Sequence, residues 1–190
     1  MLIFDEVITG FRLGLAGAQG KYGVVPDLAT YAKAIGGGLP LSALAGSKQV
    51  MDLIATGKVV HGGTLNGNPI VLAAAKVTLD ILSSDHEVIY ADLARRGLRL
   101  RMGMESLLAS RGFKVVIAGD AAVFHVAFMS RPARTYRDLL NADAERYSDF
   151  VLALLDEGVL ALPDGRWYVS AAHTDEIIDA TLAAVERALS

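Results

Sequence analysis

The first forty residues place an acid and an amine at the ends of two apolar segments, and this spacing constrains the fold more than any other feature. Residues 2–4 form a short apolar run without polar alternation, which favours a strand buried on both faces of a parallel sheet. Asp5 follows this run directly, and Lys33 ends a second such segment 28 positions later. Because ligands sit at the carboxyl ends of strands in open α/β sheets, we expect both side chains at a ligand-binding edge.

The composition narrows the classes of function. Of the 190 residues, 53% are hydrophobic and 21% charged, which allows a sizeable core and argues against disorder. The net charge is −3 and no cluster of basic residues is present, so we do not expect nucleic-acid binding. Cysteine is absent and the four histidines lack metal-ligand spacing, so no metal site is expected. The sequence shows neither a signal-peptide pattern nor a bilayer-spanning apolar run, so we expect a cytoplasmic protein without a membrane segment.

Local patterns divide the chain near residue 84. A helix predicted over residues 69–82 is apolar almost all round, so we expect it to be buried. Asn68 and Pro69 suit its N-cap and first helical position. The polar break at residues 83–85 precedes a long amphipathic helix predicted to extend to about residue 110. We therefore expect two domains, residues 1–83 and 84–190.

Turn and capping residues predict the remaining elements. The hydroxyls of Ser47 and Thr174 are expected to cap helices, and Gly119 with Asp120 is expected to form a turn between two strands. The other predicted helices cover residues 48–55, 136–140, 144–157 and the segment from residue 175 to about residue 189. The other predicted strands cover residues 28–33 (or a helix end), 40–45, 113–117, 123–129, 159–162 and 167–171, with a hairpin turn at residues 163–165.

Four motifs in a fixed order resemble the class III aminotransferases, which are pyridoxal-phosphate enzymes of fold type I. The resemblance is nearest to glutamate-1-semialdehyde 2,1-aminomutase and its aminotransferase neighbours, and it covers about the C-terminal half of a family member. One motif alone would be weak evidence, but the four together are specific. They are Asp-Glu-Val-Ile-Thr-Gly-Phe-Arg (residues 5–12), Gly-Val-Val-Pro-Asp-Leu (23–28), Ala-Lys-Ala-Ile-Gly-Gly-Gly-Leu-Pro (32–40) and Gly-Thr-Leu-Asn-Gly-Asn-Pro (63–69).

The resemblance implies a role for each of four residues. Lys33 would form the Schiff base with pyridoxal phosphate, and its freed amine would then move the proton between the substrate Cα and the cofactor. Asp5 would face the pyridine nitrogen and keep it protonated. Val7, two residues further along an extended strand, would pack on one face of the ring. Thr64 would contact the cofactor phosphate of the neighbouring subunit.

The resemblance also implies an architecture and partners. The fold class would be α/β, with residues 1–83 as the end of the cofactor-binding large domain and its mostly parallel sheet. Residues 84–190 would form a small α+β domain. Family members work as homodimers with shared active sites, and they use a small-molecule amino donor and a carbonyl acceptor. The amino group would move between two molecules, or within one as in the aminomutase.

Other interpretations compete with this one. The chain could be a non-catalytic fragment, or one half of a split enzyme that is inactive without the missing N-terminal half and its phosphate-binding helix start. An apolar strand ending in Asp-Glu also resembles the magnesium-binding strand of a P-loop ATPase, but the phosphate-binding loop of that class is absent. A hydrolase triad of Ser170, His173 and Asp175 lacks a nucleophile elbow, and His173 is interpreted as structural. Arg166 lacks the context of a substrate-binding arginine, so the substrate is left open.

Overall fold

The computed structural model describes residues 1–189. The chain forms two compact units, Met1–Tyr90 and Ala91–Ser190, with residue 190 itself outside the described part. The division falls within the long helix rather than at the polar break before it. The assignment of residues 1–83 to a large cofactor-binding domain and 84–190 to a small domain stays a prediction.

The first unit contains a mixed three-stranded sheet. A parallel pair, β1 and β2, forms one side, and β3 joins β2 in antiparallel orientation. A strand does follow Met1, but its expected burial on both faces is wrong, because Ile3 is 57% exposed and β2 is the one strand among the described residues that pairs with it. The strand expected from residue 40 begins three residues later. The strands are β1 (Ile3–Glu6), β2 (Leu28–Tyr31) and β3 (Ala43–Gly46).

Three helices and one short 3-10 turn complete the first unit. Asn68 caps α3 as predicted, because its Oδ1 accepts hydrogen bonds from the N–H groups of Ile70 and Val71 at 3.0 and 3.3 Å. The predicted cap at Ser47 is wrong, because its hydroxyl makes no capping hydrogen bond to α2. The elements are α1 (Gly17–Tyr22), the 3-10 turn (Lys33–Gly36), α2 (Lys48–Ala55) and α3 (Pro69–Ser84).

The expected burial of α3 is also wrong. Ala75 is the one buried residue of this helix, while Ile70 is 72% exposed and Ile81 is 51% exposed. A helix that is apolar all round needs neighbours on every side to be buried. Within the first unit, α3 packs against the 3-10 turn, and much of its remaining apolar surface stays exposed.

The second unit combines an antiparallel three-stranded sheet with helices. Its core consists of large side chains from both layers, including Met104, Leu108, Phe124, Leu154 and Ile178. The strand order is β4-β5-β6. The elements are α4 (His86–Ser110, which begins in the first unit), β4 (Val115–Asp120), β5 (Val123–Phe128), α5 (Tyr136–Leu139), α6 (Ala144–Asp156), β6 (Arg166–Tyr168) and α7 (Asp175–Ala188).

Two local predictions for this unit are wrong and one is confirmed. Residues 159–162 form no strand, so the turn at 163–165 does not join a hairpin. Gly119 and Asp120 lie inside β4, and the turn falls two residues later, at residues 121–122. Thr174 caps α7 as predicted, since its Oγ1 accepts from the Ile177 N–H at 3.4 Å. No helix within residues 1–189 combines the length and apolar character needed to cross a membrane.

Candidate active site

Asp5 lies near the carboxyl end of β1 with its side chain exposed. Successive side chains of a strand point to opposite faces, so Asp5 shares one face with Ile3, and Glu6 lies on the other. The Oδ1 atom of Asp5 accepts a hydrogen bond from the Val7 N–H at 3.0 Å. This bond fixes the carboxylate next to its own turn and leaves it accessible to a ligand.

Glu6 is fully buried, and the sequence reasoning missed its role. Its carboxylate accepts hydrogen bonds from the Thr9 hydroxyl and from the N–H groups of Ala18 (3.0 Å) and Gln19 (2.9 Å). Gly17, with φ at +60°, leaves the space that the carboxylate occupies, because a Cβ there would lie 2.6 Å from Oε2. Strand alternation offered a signal, since one of two consecutive acids must face inward. Glu6 therefore anchors the loop that follows β1.

Lys33 begins the 3-10 turn two residues after β2 ends, and its side chain is exposed. The parallel register sets Asp5 beside Thr30, so the ends of β1 and β2 meet at one edge of the sheet. Lys33 is three residues beyond Thr30, roughly 10 Å if the chain were fully extended. The structure thus brings the predicted acid and amine to one edge, as the sequence predicts.

The backbone of Lys33 has a left-handed conformation that the sequence did not reveal. Its φ is +52°, in a region that non-glycine residues rarely adopt. Such a conformation costs on the order of 1–3 kcal/mol and persists where surrounding contacts impose it. Strain of this kind is concentrated at functional sites, which adds an independent structural feature at this lysine.

Tyr31, the last residue of β2, links the two strand ends. Its hydroxyl accepts a hydrogen bond from the side-chain amide of Gln19, and its ring lies 5.6 Å from that of Phe11. Burial raises the pKa of Tyr31, and the negative charge of Glu6 raises it further. Glu6, Gln19 and Tyr31 thus form a polar cluster beside the edge that carries Asp5 and Lys33.

The positions of Val7 and Thr64 do not test the roles predicted for them. Val7 is half-buried in the turn after β1, so strand alternation does not aim its side chain, and its predicted role stays a prediction. Thr64 is exposed in the loop before α3, and no hydrogen-bond partner for it is found within residues 1–189. This loop borders a groove of about 860 Å³ whose lining includes Asn66, Ile35 and Ala75. The groove therefore joins the Thr64 loop to the 3-10 turn of Lys33.

The second unit does not assemble a hydrolase triad from Ser170, His173 and Asp175. His173 Nδ1 accepts a hydrogen bond from the Ser170 N–H at 3.1 Å and lies 2.9 Å from the hydroxyl oxygen of the same serine. Asp175 instead accepts from Arg95 at 2.7 Å, and this hydrogen bond lowers the pKa of Asp175. Within residues 1–189, no group of histidine and acidic side chains is arranged to hold a metal ion.

Arg166 is paired within its own turn. Its Nε donates to Asp164 Oδ2 at 2.8 Å, and this hydrogen bond lowers the pKa of Asp164. Burial raises the pKa of the nearby Tyr147 to about 12, and the Tyr147 hydroxyl donates to the Leu162 carbonyl at 3.0 Å. These contacts order the segment before β6, so Arg166 and Tyr147 both have a structural role.

Comparison with known proteins gives consistent matches over the whole chain. The family model for class-III aminotransferases matches residues 1–189. Glutamate-1-semialdehyde 2,1-aminomutase of Methanothermobacter thermautotrophicus is 41% identical over 100% of this chain and 45% of that protein. An omega-transaminase from Sphaerobacter thermophilus is 33% identical with a TM-score of 0.85, over 99% of this chain and 44% of that one. The PLP internal aldimine form of the Sphingopyxis FumI protein is 27% identical with a TM-score of 0.82, over 98% and 42%.

These matches have two consequences. The structural similarity confirms the α/β fold class expected from the sequence. The chain spans less than half the length of the relatives that it matches.

Proposed function

The chain belongs to the class-III aminotransferase family, and from this premise we propose that it serves pyridoxal-phosphate-dependent amino-group transfer with Lys33 as the reacting residue. The observation that carries the proposal is the juxtaposition of Asp5 and Lys33. Two adjacent parallel strands end at the same edge, one with an exposed carboxylate and the other followed by an exposed amine. Ligands of open α/β sheets bind at such edges.

The residues present fit pyridoxal phosphate. The proposed contacts are Asp5 to the pyridine nitrogen, Lys33 to the aldehyde carbon, Val7 to a ring face and Thr64 to the phosphate of a neighbouring subunit. The side chains of Asp5, Lys33 and Thr64 are all exposed, so each is open to a ligand. The PLP form of the FumI protein supports this choice of cofactor. When bound, the cofactor supplies an electron sink for the electron pair left at the substrate Cα.

The two charged residues have separate tasks in this proposal. The amine of Lys33 takes the proton from the substrate Cα and later returns a proton, which is general acid–base work. The carboxylate of Asp5 holds a proton on the ring nitrogen, because an opposite charge nearby favours the protonated form. The Val7 N–H bond at 3.0 Å keeps that carboxylate in place during both steps.

The finer assignment follows the relatives. The reaction moves an amino group from a small-molecule donor to a carbonyl acceptor, or within one molecule as the name of the aminomutase relative indicates. The site is shared in a homodimer, with the Thr64 loop at the interface, and the protein acts in the cytoplasm. The exposed apolar residues around this loop support an interface there, among them Val60, Leu65 and Ile70.

A second candidate is a non-catalytic fragment, or one half of a split enzyme. The observation that favours it is the coverage of 42–45% of the relatives' length, together with the exposed apolar surface of the first unit. In that case the chain would need the remaining half of the fold before it could hold the cofactor tightly.

The test is borohydride fixation of pyridoxal phosphate on the 190-residue chain, mapped by mass spectrometry. We expect the label on Lys33 in preference to the other lysines, and Lys33→Ala should abolish the preferred label. Lys48→Ala is the matched control, because Lys48 is an exposed lysine on α2 that pairs with Asp52 at 2.8 Å. An even distribution of label would contradict the proposal. A Lys33 label that forms only after addition of the other half of the Methanothermobacter relative would favour the split enzyme. The other lysines are Lys21, Lys48, Lys58, Lys76 and Lys114.

A further inference from the structure

The turn that begins at Lys33 packs against α3 through Gly37. Gly37 directly follows the 3-10 turn, with φ at +56°. A Cβ at this position would overlap Thr78 Oγ1 and lie 3.7 Å from the Ala74 carbonyl oxygen. The backbone of the turn therefore approaches α3 as closely as only a glycine permits.

Thr78 is fixed on its side of the contact. Its Oγ1 donates a hydrogen bond to the Ala74 carbonyl at 2.9 Å, so the hydroxyl does not rotate away without losing that bond. Ile35 and Ala75 are buried beside this contact. The contact between the turn and α3 thus combines a polar side chain held in one rotamer, that of Thr78, with a small apolar residue of the same helix, Ala75.

The contact of Gly37 with Thr78 supports the turn in which the backbone of Lys33 is strained. Lys33 has a left-handed backbone, which persists only where neighbouring structure imposes it. On one side the lysine is held by β2, and on the other by the turn, in which the Gly37 N–H donates to the Ala34 carbonyl at 3.2 Å. The contact of Gly37 with Thr78 is where this turn meets a rigid helix.

We propose that Thr78 is a positioning residue for Lys33, acting through Gly37. The inference rests on the proposed role of Lys33. The same helix begins at Asn68, just after the Thr64 loop and roughly 15 Å from Thr78 along the helix axis. Thr78 therefore fixes the turn that begins with Lys33 to a helix, and so sets the position of the reacting lysine relative to α3.

The first experiment compares two neighbouring glycines. Gly38 is the matched control for Gly37, because its φ of +94° is also positive but a Cβ there would meet nothing within 4 Å. Gly37→Ala should lower the share of borohydride-fixed label on Lys33 by about tenfold, as expected for a displaced reacting group. Gly38→Ala should lower it much less. Adding Thr78→Ala to Gly37→Ala makes room for the new methyl group and should restore most of the label, whereas Thr78→Ser keeps the obstructing oxygen and should not.

A milder variant covers the case in which Gly37→Ala does not fold. Thr78→Ala alone should reduce the Lys33 share a few-fold and speed amide hydrogen exchange in residues 33–37. Thr181→Ala is its matched control, because Thr181 makes the same bond on α7, from Oγ1 to the Ile177 carbonyl at 2.7 Å. The control should change neither readout.

The outcomes separate the two proposals. A Gly37→Ala chain that Thr78→Ala does not rescue, or a Thr78→Ala chain identical to wild type in both readouts, would overturn the role of Thr78. An unmodified chain that shows no preference for Lys33 would overturn the proposed function instead. Hydrogen exchange in residues 33–37, which needs no cofactor, then still decides whether Thr78 holds the turn.

Discussion

The two units of the chain differ in what holds them together. The second unit buries large apolar side chains from its helices and its sheet, such as Met104, Phe124 and Leu154. The described hydrophobic side chains that the first unit buries are Ala29, Ile35 and Ala75, and its one buried charged group is Glu6. The residues proposed for chemistry nevertheless all lie in the first unit.

This difference separates stability from function. The second unit is stabilised by dispersed apolar contacts, which tolerate exposed changes and respond strongly to cavities. The edge that carries Asp5 and Lys33 is positioned by a few specific contacts. These are the hydrogen bonds to Glu6 and the packing of Gly37 against Thr78. Single polar substitutions should therefore act locally in the first unit, and core truncations should act globally in the second.

The largest effect is expected from a cavity in the second unit. Leu154 is fully buried on α6, so Leu154→Ala should destabilise this unit by about 2–5 kcal/mol. Leu152 on the same helix is 58% exposed, and Leu152→Ala should cost no more than about 0.5 kcal/mol. The single tryptophan, Trp167, is buried against Phe124 and reports unfolding of this unit by fluorescence. Equal unfolding midpoints for Leu154→Ala and Leu152→Ala would show that Leu154 on α6 is not part of the core of the second unit.

A smaller effect is expected at the buried acid of the first unit. Glu6→Gln replaces an acceptor of three hydrogen bonds with an amide that cannot accept all of them, at a cost of about 1–3 kcal/mol. Asp5→Asn is the control, since Asp5 is the exposed neighbour in the same strand. Glu6→Gln should speed amide hydrogen exchange in residues 6–22. The unfolding midpoint of the second unit, followed by Trp167 fluorescence, should stay unchanged. A shift of that midpoint without faster local exchange would contradict the separation of the two units.

The smallest effect concerns the ion pairs of α4 with α7. The hydrogen bond from Arg95 lowers the pKa of Asp175, so this carboxylate stabilises the second unit above its unfolded pKa of about 3.9. That contribution is lost as the pH falls through the lower folded value. Asp175→Asn should therefore lower the Trp167 midpoint at pH 7, and the difference from wild type should shrink in acid and in high salt. Asp149→Asn, a charge change at an exposed site, is the control, and a pH-independent difference for Asp175→Asn would contradict the ion-pair explanation.

The sequence predicted the parts of the fold that depend on local pattern. Apolar runs and the glycines after Lys33 located the edge with Asp5 and Lys33. The long amphipathic helix was also correctly predicted, because α4 ends at Ser110 and buries Leu93, Leu100 and Met104 on one face. Motif order identified the family, since each motif is a short local feature.

Features that depend on distant neighbours could not be predicted. Whether α3 is buried depends on what packs around it, and composition alone does not supply that information. The apolar residues 159–162 match a strand, yet they lie outside the sheet, where the second unit pairs β6 with β5 instead. The left-handed backbone of Lys33 and the contact of Gly37 with Thr78 arise only when the turn meets the helix.

Hydrogen exchange of the 190-residue chain with and without pyridoxal phosphate tests most directly whether the chemistry resides in the first unit. We expect the cofactor to slow exchange in residues 3–7 and 31–38, to have no effect on residues 91–189, and to lose its effect in Lys33→Ala. Protection confined to the second unit, or protection that persists in Lys33→Ala, would contradict the assignment of the site to the edge formed by β1 and β2.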